Sequence, residues 1–213
     1  MKYLIVLMFC LVAACAGPKG SSGASGPQGV PGVVIAPPVV APSPVDVLVA
    51  EYNEQRIAVG QELIEPGLQC TLYTVPNTTT AIVGATLTTV GSWAYSGDFD
   101  FANGPSSPGI GMLPPTLLSL YTSYYVIKCT GLLINPVSGF YGFELSSDDG
   151  ANLSINGAFI NNDGVHGIVT KSGAKYMARG VYSFELDYFD AGGSHALMLY
   201  SGSAAVPAVN FYH

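Results

Sequence analysis

Two adjacent carboxylates, Asp148 and Asp149, stand between Ser147 and Gly150 at the end of an alternating stretch through Tyr141, Phe143 and Leu145. Paired carboxylates on a glycine turn form an oxygen-rich group suited to a hard cation such as calcium, which takes about 6–8 oxygen ligands. In a regular strand, neighbouring side chains point to opposite faces, so this pair would not reach one ion. A tight turn or a cis peptide between the two would bring them together. The same Asp-Asp-Gly run also makes an ordinary hairpin turn, because all three residues favour turns. On these residues alone both readings stand.

Other chemistries find no support. The chain holds no Gly-x-Ser-x-Gly, no His-Glu-x-x-His and no glycine-rich phosphate loop. A retaining glycosidase sets its two carboxylates about 5–5.5 Å apart across the scissile bond, and adjacent residues on one turn more naturally share a cation. The residues therefore describe a binding protein rather than an enzyme.

The elements that must position the pair read as strands and turns from about Glu62 onward. Alternation is clear at Leu153/Ile155 and at Tyr182/Phe184/Leu186/Tyr188 as well as at Tyr141/Phe143/Leu145. Asp149-Gly150, Asn156-Gly157, Asp163-Gly164, Arg179-Gly180 and Gly192-Gly193 punctuate these runs as turns. Strands at this spacing predict an all-β chain folded as an antiparallel β-sandwich. Only 10% of the 213 residues are charged, which fits an extracellular β-rich protein. A net charge of −7, with no basic cluster, argues against nucleic-acid binding.

Residues 1–14 read as a signal peptide. Lys2 supplies the positive start, and the apolar run from Tyr3 to Ala14 is too short to span a membrane, which takes about 20 residues. Leu11-Val12-Ala13-Ala14-Cys15 resembles a bacterial lipobox, which makes Cys15 the lipidated residue and a bacterial outer membrane or cell surface the expected location. A plain secretory signal is the alternative. Of four cysteines, Cys70 and Cys129 then remain, in apparent strands over 68–75 and 124–130. In an oxidising compartment they read as one disulfide, with two buried thiols as the alternative.

Glycine recurs at every third position from Gly17 to Gly32, the Gly-X-Y pattern of a collagen triple helix, though a run this short serves equally as a flexible tether. Residues 33–44 are rich in Val and Pro and read as an extended spacer of roughly 35–40 Å, so that 15–44 forms one lipid-anchored stalk. Ser43-Pro44 then starts a stem helix over 45–61, with Ser43 as N-cap and Gly60 as its stop. Val45, Leu48, Tyr52, Gln55 and Val59 lie on one stripe of it. That stripe serves either a homotrimeric coiled coil or packing on the chain's own domain.

From Ile134 through Tyr200 the chain resembles the PA-fourteen domain family, named for the N-terminal region of anthrax protective antigen. The matching pieces run from Gly139-Phe140-Tyr141 to Asp148-Asp149-Gly150, then Leu153 to Gly157, Asn161 to Gly167, and Gly180 to Phe189. Pro66-Gly67-Leu68 and Tyr73 resemble the family's first strand, so the likeness spans 62–213, loosely between Val75 and Tyr121. The resemblance implies a carbohydrate-binding adhesin in which aspartates joined by a cis peptide hold calcium, and the ion ligates sugar hydroxyls on cell-surface glycans. Asp148 and Asp149 match that pair. The family's late loop corresponds to Asp190–His195, with Asp190 as a third oxygen donor and His195 as a candidate sugar contact. A metal-free tip of a trimeric surface fibre, built for structure or protein binding, is the alternative. Asn161-Asn162-Asp163-Gly164 reads as a turn bonded to its local backbone, His166 as a structural histidine and Trp93 as a core residue.

Overall fold

The computed structural model describes residues 41–102 and 110–213. Ser43 caps the first helix, α1 (Pro44–Ala58). Its hydroxyl accepts the Asp46 N–H, the Asp46 carboxylate accepts the Ser43 N–H in return, and Pro44 occupies the first turn. Gly60 follows at a φ of 71°. The apolar stripe of α1 turns onto its own domain. Leu48 is buried with Ile64 and Ile134, and Val45, Val49 and Tyr52 pack beside them, while Arg179 pairs with Glu51 at 2.9 Å. The stem helix thus shares one compact unit with the strands, and Val59, at the far end of the stripe, stays exposed.

The strands are β1 (Leu68–Thr74), β2 (Thr88–Tyr95), β3 (Asp100–Phe101), β4 (Tyr125–Asn135), β5 (Gly139–Asp148), β6 (Ala151–Ile155), β7 (Ala158–Asn162), β8 (Val169–Met177), β9 (Gly180–Asp190), β10 (Ala196–Ser201), β11 (Ala204–Ala205) and β12 (Phe211–Tyr212). One sheet runs β2-β1-β4-β9-β6-β7 with β12 beside β4. The other runs β11-β10-β5-β8 with β3 beside β10. The named strand pairs are antiparallel. Two sheets closing on one apolar layer make the antiparallel β-sandwich that the alternation predicts.

The inward residues are those of the predicted period: Phe143 and Leu145 on β5, Leu153 and Ile155 on β6, and Phe184, Leu186 and Tyr188 on β9, all at most 3% exposed. Phe99, Phe184 and Phe211 meet at centroid distances of 4.7–6.4 Å and hold the end of the core away from the carboxylate pair. Trp93 packs against the rim of this core. Asn156, at a φ of 48°, and Gly157, at 101°, turn β6 into β7, as an Asn-Gly hairpin requires.

Cys70 and Cys129 are directly opposite in the β1–β4 ladder, with Cα atoms 4.0 Å apart, and they are bonded to each other. Both are buried. The bridge closes a loop with a sequence separation of 59. Replacing both cysteines by alanine is expected to lower the unfolding free energy by about 2–4 kcal/mol. A urea midpoint indistinguishable from that of the parent would show that the bridge contributes nothing.

Candidate functional site

β5 ends at Asp148 and β9 ends at Asp190, each on a different sheet but at the same end of the sandwich. Register fixes this: Asp148 pairs with Ala196 of β10, and Asp190 pairs with Tyr125 of β4. The Tyr188 hydroxyl bridges the two sheets, donating to the Asp148 carbonyl oxygen at 2.7 Å and lying 3.4 Å from Asp190 Oδ2. The Asp148–Asp149 peptide bond is cis, one of the two geometries expected from the sequence.

The two carboxylates have different surroundings. Asp149 is 3% exposed. Its Oδ1 accepts the His166 N–H at 3.1 Å and its Oδ2 accepts the Ala191 N–H at 2.7 Å. One buried carboxylate therefore holds the loop after β7 and the loop after β9, leaving a lone pair on each oxygen. Asp148 is half-buried, and among the described residues its carboxylate has no hydrogen-bond or ion-pair partner. Burial and then the neighbouring Asp149 raise its pKa, while His166 and His195 act in the opposite direction. Two carboxylates side by side, with no lysine or arginine paired to either among the described residues, leave negative charge uncompensated.

Gly150 is required by close approach. A Cβ there would stand 2.8 Å from the Gly164 nitrogen and 2.9 Å from its oxygen. Asp163 extends the anchoring outward, its Oδ1 accepting the Ile82 N–H at 2.7 Å and its Oδ2 the Val83 N–H at 3.0 Å. The Asn161–Gly164 stretch is thus a turn, as read from sequence: Asn161 Oδ1 accepts the Asp163 N–H, and Asp163 Oδ1 accepts the Gly164 N–H. It also reaches a segment some eighty positions away, which adjacency in sequence cannot reveal. His166 is structural, its ring nitrogens 2.8 Å from the Gly167 oxygen and 3.0 Å from the Asn162 oxygen.

Asp190 and His195, the expected third ligand and sugar contact, are buried and bonded to each other. Asp190 is fully buried. Its Oδ1 accepts the Gly192 N–H at 2.7 Å, and its Oδ2 accepts the Tyr125 hydroxyl at 3.1 Å and is bonded to His195 Nδ1. Burial raises the Asp190 pKa, against the opposing effect of His195 and these hydrogen bonds. His195 is itself 4% exposed. The pair braces the 191–195 loop from inside. Among the described residues no group of three or more His, Cys, Asp or Glu side chains is arranged to hold a metal ion. Tyr125 and Tyr188, whose hydroxyls burial holds well above their usual pKa, were not singled out from sequence. Their core-strand pattern looks the same whether or not a hydroxyl finds a partner.

Cys15, the Gly-X-Y run and the spacer up to residue 40 lie outside the described residues. No helix among the described residues is long and apolar enough to cross a membrane.

Solved structures share this fold. The PA14 domain of the MpAFP antifreeze protein superposes with a TM-score of 0.55 at 16% identity, covering 71% of this chain and 92% of that one. An anti-sigma factor domain-containing protein gives 0.52 at 18% identity over 70% of this chain. A protein of the same description from Clostridium clariflavum gives 0.50 at 22% identity, over 70% of this chain and 47% of that one. The chain spans about half the length of these two anti-sigma factor proteins, 48% of the first. No curated protein sequence matches it. Residues 121–206 match the PA14 domain family, and the sandwich that carries them has the fold of a solved PA14 domain.

Proposed function

We propose that the domain is a carbohydrate-binding adhesin module whose site is built on Asp148 and Asp149, with calcium as the ion. The observation that carries this reading is the Asp148 carboxylate, half-buried and without a hydrogen-bond partner among the described residues, beside a second carboxylate. Such a group fits a divalent cation, which relieves the repulsion that its own protein leaves uncompensated. Asp149 would offer one lone pair per oxygen while keeping its backbone bonds. A calcium ion held there would supply positions at which vicinal sugar hydroxyls can replace water.

The chain's own residues do the rest. Asp149 orders the 163–167 and 191–195 loops that flank the ion, and the Asp190–His195 pair fixes the second of these from below. Asp190 is a positioning residue in this account. Specificity then falls to the loop surfaces around the pair, where Val83, Val165 and Ile168 are exposed. In the same reading Cys15 carries lipid at a bacterial surface, and the stalk of residues 15–44 holds the domain outward. The packing of the α1 stripe on its own domain leaves the Gly-X-Y run as the sole support for a trimer.

Calcium is expected to raise the thermal midpoint of the protein and leave that of Asp148→Asn unchanged. At a calcium concentration of 100 times Kd the stabilisation is about 2.7 kcal/mol. In EDTA the ordering changes. The Asp148 pKa is raised by folding, so its charge opposes the fold above that pKa, and Asp148→Asn is at least as stable as the parent at pH 7. A calcium-induced shift of equal size in both proteins would remove Asp148 from the ion. Glycan-array binding that Asp148→Asn removes should be lost in EDTA and restored by calcium. Binding that EDTA leaves intact at every glycan would reject the metal-dependent lectin in favour of a metal-free module.

A further inference from the structure

The outer face of the β5–β8 sheet carries a feature that the cation site does not use. Phe140 of β5 is 83% exposed and Tyr176 of β8 is 57% exposed. They are directly opposed in the ladder, and their rings meet edge to face at 5.3 Å. Exposed aromatic side chains on a sheet face forgo the burial that ordinarily stabilises them. Two residues further along each strand, about 7 Å, the face drops. The opposed pair there is Gly142 and Ala174, and a Cβ built on Gly142 meets nothing within 4 Å. One step beyond stand Glu144 and Ser172, again directly opposed. The result is a groove of about 450 Å³ floored by small residues. Glu144, Ser172 and Gly202 also line it, and the aromatic pair stands outside the groove, two positions before its floor on the same face. Among the described residues the Glu144 carboxylate and the Ser172 and Tyr176 hydroxyls have no hydrogen-bond partner.

We infer that this groove is a second carbohydrate-contact surface, independent of metal, in which a hexopyranose ring lies along the Gly142/Ala174 floor. The chemistry of the three rungs matches the two faces of such a ring. Its C–H face packs on the Phe140 and Tyr176 rings, while its hydroxyl edge meets Glu144, Ser172 and the Tyr176 phenol, the few convergent polar groups that fix orientation in an otherwise apolar site. A protein partner fits poorly. Stable interfaces bury about 800 Å² per partner, whereas the apolar part here is two side chains wide and gives way at once to glycine and alanine. The face is continuous with the first site, because Phe140, Gly142, Glu144, Ser146 and Asp148 occupy alternate positions of the same strand. The inference stands without the calcium reading, because none of its residues touches the carboxylate pair.

The test is ligand-detected saturation-transfer NMR in EDTA, with cellohexaose, maltohexaose and chitohexaose as probes and sedimentation of the same samples. At least one sugar is expected to bind, with transfer strongest to the C–H protons of its ring faces. Phe140→Ala should weaken that binding about tenfold or more. Gly142→Val, which fills the floor with a residue that strands favour, should do the same, with thermal midpoints like the parent's. Absence of binding to all three sugars in EDTA overturns the inference, as does equal binding by parent and both variants. Phe140-dependent self-association without sugar binding would assign the face to a second copy of the chain. The test is run in EDTA, where the first site holds no ion, so the two proposals fail separately.

Discussion

Two loops at the site end of the sandwich are tied to one another through the Asp149 carboxylate. It is buried, and its two oxygens are shared between backbone N–H groups of loops that leave different strands of the other sheet, at His166 and Ala191. Hydrogen bonds to a charged acceptor are the stronger kind, and an amide left without one in a buried place costs about 1–3 kcal/mol. Asp163 repeats the device one layer outward, taking the Ile82 and Val83 amides and bringing the segment before β2 to the same end. The strands supply a rigid frame, and the aspartates convert that frame into a fixed arrangement of loops.

Three carboxylates within this end have three environments. Asp190 is saturated by Tyr125, His195 and Gly192, which suits a brace. Asp149 is half-saturated, which suits a group that both orders backbone and retains lone pairs. Asp148 is unpartnered and pushed up in pKa by burial and by Asp149, which suits a group waiting for positive charge. A cation between the last two would complete the electrostatics of the site and leave the first in place. The Tyr188 hydroxyl, touching both the Asp148 carbonyl and Asp190, couples the brace to the pair.

Much of the architecture was legible because it is written in periods and in local turn chemistry. Alternation at Phe143/Leu145 and Phe184/Leu186/Tyr188 marks inward faces, Ser43-Pro44 marks a capped helix start, and Asn156-Gly157 marks a hairpin that needs positive φ at both positions. The cysteine pairing was open in sequence and settled by register, since Cys70 and Cys129 face each other in one ladder. Less legible was anything set by long-range placement. Asp190 reads from sequence as a third oxygen donor, and its full burial is not legible there, because Tyr125 and His195 come to it from other elements. Asp163 looked local and reaches Ile82. Phe140 and Tyr176 each sit unremarkably in a strand, and only the β5–β8 register makes them one feature.

The central claim is that Asp148 and Asp149 share a divalent ion. Anomalous diffraction from crystals grown in saturating calcium tests it most directly. The account predicts an anomalous peak within bonding distance of a carboxylate oxygen from each of these two residues, with Asp190 still bonded to His195 and Tyr125. Well-ordered Asp148 and Asp149 side chains with no peak between them, at a calcium concentration that saturates other sites in the crystal, would contradict it.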